Sequence, residues 1–262
     1  MAPSLRPVSP LACLAEFTAM ALFVVIGCGS AMGINGSRSG SDTSTDPGWV
    51  LLVALTFGLT ITALAYATGH LSGGHINCAV TFGLVLAGQC GVAQGLANLA
   101  AQLLGSVLGA CILCLIFPKA MDQTGGLGSN GLADGWEWHN ALVGELLGTF
   151  LLMTAVLQTA CSHKSAANRA QAPVAIGLAV FAAHAVLLPV DGCSINPTRS
   201  FGPALVAQLR YGGEPSSPFR HMWLFWLGPL LGAALAVGHD RLLERASRAE
   251  APEAPEAAAA PP

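Results

Sequence analysis

The most constraining feature of this chain is a short polar element written twice inside apolar sequence. Gly73-Gly74-His75-Ile76-Asn77-Cys78-Ala79-Val80-Thr81-Phe82-Gly83 and Gly192-Cys193-Ser194-Ile195-Asn196-Pro197-Thr198-Arg199-Ser200-Phe201-Gly202 stand 119 residues apart and share Gly, Ile, Asn, Phe and Gly in register. Each copy sits among long apolar runs. Irregular backbone at membrane depth is tolerated only where protein buries it or where it lines a watery cavity. A duplicated, broken, Asn-bearing element near the middle of each half therefore points to a pore.

Composition supports membrane residence. Of 262 residues, 53% are hydrophobic and 10% charged, with a mean hydropathy of +0.60. Soluble domains carry about 25% charged residues. A soluble enzyme with a rich core would still need charged helix faces, and long windows here hold none. The net charge of -3, with Lys and Arg scattered, excludes a nucleic-acid surface. Among the eight cysteines, Cys13, Cys28, Cys90, Cys111 and Cys114 lie in apolar runs, which does not fit a secreted disulfide framework. Cys111 and Cys114 share a helix face but have no further ligands nearby, so no metal and no cofactor are expected.

Apolar segments at about 11–33, 49–69, 95–117, 141–161, 173–190 and 221–238 each approach the ~20 residues that cross a bilayer as helix. Two further pieces, 77–87 and 196–207, are too short to cross and read as re-entrant half-helices. Three spans per half is an odd number, so the second copy enters with opposite orientation, giving an inverted 3+3 repeat. The expected fold is an all-α membrane protein of six transmembrane helices plus two half-helices. The runs are continuous instead of alternating, which argues against a β-barrel. Arg6, Lys164, Arg169, Arg241, Arg245 and Arg248 gather on one side against Arg38, Lys119, Arg210 and Arg220 on the other. This small bias places both termini in the cytoplasm.

The resulting division is a short cytoplasmic N-terminus at 1–10, a channel domain at 11–240 with halves at about 11–117 and 141–240, and a cytoplasmic, largely disordered tail at 241–262, rich in Ala, Pro and Glu. Gly105 and Gly109, Gly144 and Gly148, and Gly228 and Gly232 have the spacing of close helix crossings. Asn35-Gly36-Ser37 forms a glycosylation sequence if it faces a secretory lumen.

Two carboxylates, Glu16 and Glu145, fall inside the first and fourth spans. A lone carboxylate in hydrocarbon is costly, so each must face protein. One reading is proton or ion transport. The reading favoured by their symmetric placement is structural, with each accepting hydrogen bonds from the unwound backbone that leads into a half-helix.

On these residues, together with the runs from Ser72 to Gly83, from Gly192 to Ala204 and from His221 to Ala233, the chain resembles the aquaporin (major intrinsic protein) family over about 11–240. The resemblance implies two half-helices meeting end to end at mid-membrane, with Asn77 and Asn196 at the pore centre and Cys78 and Pro197 opening the half-helices. It implies homotetramers with one pore per subunit, lipid as surroundings, water as permeant and the plasma membrane as location. Phe57, His184, Cys193 and Arg199 correspond to the family's narrow, water-selective filter. The usual Asn-Pro-Ala appears here as Asn-Cys-Ala in the first copy and Asn-Pro-Thr in the second. Glycerol-passing members usually carry a smaller residue at the His184 position and an Asp where Ser200 stands.

The function implied is passive, water-selective conduction along osmotic gradients, without catalysis and with protons and ions excluded. The alternatives are a channel for ammonia, hydrogen peroxide or glycerol, or a non-conducting structural or adhesion protein. Carbonyls of 71–76 and 190–195 would supply acceptors along the path, with Val80, Ile176 and Leu178 as apolar walls. His184 is read as a neutral, size-setting residue in preference to a pH gate. A cysteine in place of proline at position 78 loosens the first turn at a cost of about 1 kcal/mol.

Overall fold

The computed structural model describes residues 7–34, 47–212 and 217–250. Asn35 and residues 251–262 lie outside them. Among these described residues, eight α-helices follow in order: α1 (Pro10–Ile34), α2 (Pro47–Ser72), α3 (Cys78–Leu86), α4 (Val92–Ile116), α5 (Trp138–Val156), α6 (Ala172–Asp191), α7 (Pro197–Tyr211) and α8 (Leu224–Ala249). α3 and α7 are the short ones, 9 and 15 residues long. α7 thus runs further than the sequence suggested.

Among the described residues, five helical stretches of 24 to 29 residues are long and apolar enough to cross a bilayer: Pro10–Gly33, Pro47–Ser72, Val92–Ile116, Trp138–Cys161 and His163–Asp191. The sixth long helix, α8, is apolar in its first part only. It continues through Asp240, Arg241, Glu244, Arg245 and Arg248 to Ala249. Residues 241–249, expected in the disordered tail, are therefore helical. Their charged side chains lie on an extension whose Glu244 and Arg248 approach to 3.9 Å at i,i+4 spacing.

Start signals explain the boundaries. Ser9 Oγ accepts from Ala12 N–H ahead of α1, and proline occupies the first turn of α6 and α7, where its missing N–H is no loss. α5 does not end cleanly. It passes into a π-helical turn at Leu157–Cys161 and then a 3-10 segment at His163–Gln171 before α6.

The helices pack as two related halves. α1 lies on α4, α5 lies on α8, and α2 meets α6 at the centre. Gly58 and Gly177, again 119 residues apart, mark one place where the halves touch. A Cβ on Gly58 would come within 2.7 Å of the Gly177 carbonyl oxygen, and one on Gly177 within 2.6 Å of the Gly58 carbonyl oxygen. Hydrogen removes that obstacle and lets the backbones meet. Gly105 likewise admits the Phe17 carbonyl of α1, and Gly232 the Leu146 carbonyl of α5. Large apolar side chains such as Leu59, Leu104, Leu115 and Val186 point outward, as a lipid-facing surface requires.

Gly105→Ala is expected to lower stability by about 1–3 kcal/mol, because its methyl meets a backbone carbonyl that cannot swing aside. Gly69→Ala, where nothing lies within 4 Å, is the control. Thermal melting of the purified protein in detergent separates the two.

Candidate functional site

Between α2 and α3, and again between α6 and α7, the chain unwinds for five residues, 73–77 and 192–196. The unwound stretches are slightly shorter than expected, because α2 persists to Ser72 and α6 to Asp191. Their conformations correspond residue by residue. Gly73 (φ 90°) and Gly192 (φ 79°), Gly74 (φ 62°) and Cys193 (φ 49°), and Ile76 (φ 49°) and Ile195 (φ 44°) all adopt positive φ. For a β-branched isoleucine this is strained backbone, of order 1–3 kcal/mol per residue, and it persists only where the surroundings over-determine it.

Glu16 and Glu145 supply that determination. Both are fully buried. Glu145 accepts the N–H of Ser194 at 2.7 Å and of Ile195 at 2.6 Å. Glu16 accepts the N–H of His75 at 2.9 Å and of Ile76 at 2.7 Å. It also takes the Ser72 hydroxyl at 2.6 Å and Gln102 Nε2 at 2.7 Å. Each carboxylate therefore satisfies the backbone donors that the unwound turn leaves over.

The turns deliver Asn77 and Asn196 to the N-termini of α3 and α7. Asn77 Oδ1 accepts from Ala79 N–H at 2.8 Å and Val80 N–H at 3.4 Å, capping α3 although Cys78 stands at its first position. Asn196 Oδ1 accepts from Arg199 N–H at 3.3 Å and the Thr198 hydroxyl at 2.7 Å. The amides then cross. Asn77 Nδ2 donates to the Ile195 carbonyl at 2.7 Å, and Asn196 Nδ2 to the Ile76 carbonyl at 2.8 Å. An NH2 group carries two protons, so each amide keeps a second donor. Both asparagines border a cavity of 230 Å³ that His75, Val80, Ile176 and Cys161 also line.

One helical turn beyond Ile61 and Val180 of that cavity stand Phe57 and His184. Their rings stack at 4.3 Å between centroids. The Arg199 guanidinium lies 5.1 Å from the Phe57 centroid. Phe23 meets Phe57 edge-on at 5.4 Å, and the absence of a side chain at Gly27 leaves room for the ring. His184 Nδ1 is 2.8 Å from the Val180 carbonyl, whereas Nε2 has no partner among the described residues. Arg199 Nη1 donates to the Gly128 carbonyl at 2.9 Å and to Asn130 Oδ1 at 2.6 Å, both neutral, and its Nε has no partner among the described residues. Phe57, His184 and Arg199 thus come together. Cys193 stands in the second unwound turn, three residues before Asn196. It is completely buried, and its N–H donates to Asp191 Oδ1 at 2.9 Å.

A family model described as major intrinsic protein matches residues 6–238. The chain belongs to the major intrinsic protein family. It is 38% identical over 226 residues to Aquaporin-1 of Mus musculus, covering 86% of this chain and 79% of that protein. It is 38% identical over 244 residues to aquaporin PIP2-1 of Arabidopsis thaliana, covering 90% and 82%. Its fold matches the aquaglyceroporin from Plasmodium falciparum with a TM-score of 0.78 at 18% identity, over 90% of this chain and 98% of the other. Major intrinsic proteins are channels, and this chain is a non-catalytic, multi-pass membrane channel.

One expected wall residue is misplaced. Val80 and Ile176 line the cavity, but Leu178 is 61% exposed on the outer surface of α6. α6 is apolar all round, so composition gave no face to choose. Other residues at the site carried a weaker signal. Gln102 donates to Glu16 and, at 3.2 Å, to the Thr81 hydroxyl. It belongs to a buried polar row on α4, Asn98, Gln102 and Ser106, whose i, i+4, i+8 spacing in an apolar span is visible in sequence. Gly128 and Asn130, which hold Arg199, lie in a connection without periodicity.

Glu145→Gln puts an amide NH2 opposite one of two backbone N–H donors. The expected loss is about 2 kcal/mol, the penalty of a buried unsatisfied donor. A fall in melting temperature relative to the parent checks it, and an unchanged melt would remove Glu145 from this supporting role.

Proposed function

We propose that this channel conducts water selectively, down osmotic gradients, through one pore per subunit. The observation that carries the reading is the pair of crossed asparagine amides on the cavity, with the Phe57, His184 and Arg199 cluster one turn beyond. Water leaving bulk must keep hydrogen bonds or lose several kcal/mol. Asn77 and Asn196 form the pore centre and offer their second amide protons. The carbonyls of 73–77 and 192–196 offer acceptors, and Val80 and Ile176 offer no competing contact.

Charge is refused by two fields. α3 and α7 point their N-termini at the same place, each bringing up to about half a positive charge. Arg199 adds a full one at the filter formed with Phe57, His184 and Cys193, where its partners are neutral. Cations, hydronium included, meet repulsion and lost hydration together. Anions are attracted but cannot shed water beside Phe57. Glu16 and Glu145, with Cys78 and Pro197 at the helix starts, hold the half-helices in place. The family resemblance further supports a homotetramer in the lipid bilayer of the plasma membrane. The weak Lys and Arg bias supports cytoplasmic termini, and Asn-Cys-Ala is read as an altered first motif of a water-selective member.

Stopped-flow shrinkage of proteoliposomes tests the permeant, with glycerol, ammonia and hydrogen peroxide in parallel. Fast water flux with little glycerol flux is expected. Larger fluxes of another solute would move the assignment to that solute, and no flux at all would leave a non-conducting membrane protein. Mercurials are expected to remove most of the water flux, and Cys193→Ser to abolish the block. Cys161 also lines the cavity, so the comparison is made in a Cys161→Ser background, where a conducting protein that keeps Cys193 yet ignores mercurials would place Cys193 away from the constriction. Arg199→Val is expected to admit protons and small cations, read as dissipation of a pH gradient in the same vesicles.

A further inference from the structure

The two unwound turns are tied by the same scheme of bonds, with one difference. In the first half Glu16 Oε2 accepts the Ile76 N–H, and Glu16 Oε1 accepts the His75 N–H and the Ser72 hydroxyl. Ser72 Oγ also accepts the Gly74 N–H at 3.1 Å. At the 119-residue register these turn positions correspond to Ile195, Ser194, Asp191 and Cys193. Glu145 Oε2 accepts the Ile195 N–H, Glu145 Oε1 the Ser194 N–H, and Asp191 Oδ1 the Cys193 N–H. Three of the four bonds recur. The fourth, from the Ser72 hydroxyl to Glu16 Oε1, can recur only if Asp191 carries a hydrogen.

The surroundings of Asp191 supply no other answer. It is fully buried, and its Oδ2 has no hydrogen-bond partner among the described residues. Arg199 on α7 turns its Nη1 to the Gly128 carbonyl and Asn130 Oδ1 instead. The other titratable groups that face Asp191 are Glu145 on α5, itself an acid, and the Cys193 thiol of its own turn. The connection before α5 contributes Gly131 and Asn130, both neutral, which donate to its main-chain oxygen. A buried carboxylate with a single N–H donor is costly, and such a group neutralises. Both oxygens of Glu145 already hold an N–H, so Asp191 is the acid with an oxygen free for the proton.

We propose that Asp191 keeps its proton on Oδ2 and donates it to Glu145 Oε1, taking the part that the Ser72 hydroxyl plays in the other half. An O–H donated to a carboxylate is among the strong hydrogen bonds. Asp191 is then a positioning residue. One of its oxygens holds the Cys193 N–H, and the other fixes the carboxylate that holds Ser194 and Ile195. It also leaves the end of α6 uncharged, so that no second anion offsets Arg199. None of this depends on which solute the channel passes.

Asp191→Asn replaces the O–H by an N–H donor, Asp191→Ser copies Ser72, and Asp191→Ala removes both functions. Infrared spectra of the purified parent at neutral pH are expected to show the carbonyl band of a protonated carboxyl group, which Asp191→Asn and Asp191→Ser lose. Spectra in which neither variant loses such a band overturn the proposal. In Glu145→Gln the band is expected to shift, because an amide oxygen accepts more weakly than a carboxylate; an unmoved band overturns Glu145 as the acceptor. Stability gives an independent reading. A native state that holds a proton the unfolded chain has released loses stability as pH rises. The melting temperature of the parent in detergent is therefore expected to fall, relative to Asp191→Asn, as pH rises above about 4, where an unburied aspartate ionises. The slope corresponds to about tenfold per pH unit in the unfolding constant. Parallel pH profiles overturn the proposal, as does an Asp191→Ser protein that melts no higher than Asp191→Ala.

Discussion

The structure depends on how two unwound turns satisfy their backbone N–H groups at membrane depth. Hydrocarbon offers no partner to these buried groups, and an unpaired donor costs several kcal/mol. Glu145 takes the N–H of Ser194 and Ile195, and Glu16 those of His75 and Ile76. Only with those donors held do Ile76 and Ile195 stay at positive φ. Only with that turn does each isoleucine carbonyl meet the asparagine of the opposite half. The crossed amides then fix the two half-helices against each other, and α7 brings Arg199 up to Phe57. The order of dependence runs from carboxylate to turn, to amide, to constriction.

The halves achieve the same geometry with different braces. Ser72 donates its hydroxyl to Glu16, and Gln102 reaches the same carboxylate from α4. Ser72 Oγ also accepts the Gly74 N–H at 3.1 Å, and the equivalent position, Asp191, accepts in the same way. Its Oδ1 takes the Cys193 N–H, and its main-chain oxygen takes Gly131 N–H at 3.1 Å and Asn130 Nδ2 at 3.3 Å. Asn130 Oδ1 in turn receives Arg199 and the Ser200 hydroxyl. The first turn is thus anchored in a helix, and the second in the connection between α4 and α5. Arg199 is held by a connecting segment, although it stands on a half-helix.

Much of this was legible because polar residues in an apolar span have few uses. Glu16, Glu145, Asn77 and Asn196 announced themselves by that contrast, and the 119-residue register announced the inverted halves. Gln102 belongs to the same class, but a single amide in a span reads equally well as helix packing. The orientation of Leu178 was not legible, because a helix apolar on every side has no preferred face. The helical extension of α8 was hidden by its charges, which resemble those of a disordered tail. Asn130 and Gly128 were invisible for a different reason. Their role is set by three-dimensional proximity to Arg199, across 69 and 71 residues of chain.

Two buried carboxylates beside a proposed cation barrier raise the question of why they do not attract cations themselves. Charge acts on a permeant according to what it exposes. Glu16 and Glu145 have no exposed surface, and each is turned toward donors of its own half, four for Glu16 and two for Glu145. Their field is spent on those N–H and O–H dipoles at contact distance, where it is strongest. Arg199 is placed the other way. Its Nη1 reaches neutral oxygens, and its Nε has no partner among the described residues. In the proposed pore, the negative charges are therefore enclosed as structural ties, while the positive one stands without a compensating anion among the partners it donates to. Refusal of cations and stability of the unwound turns then follow from a single distribution of charge, carboxylates behind the half-helices and a guanidinium at the constriction.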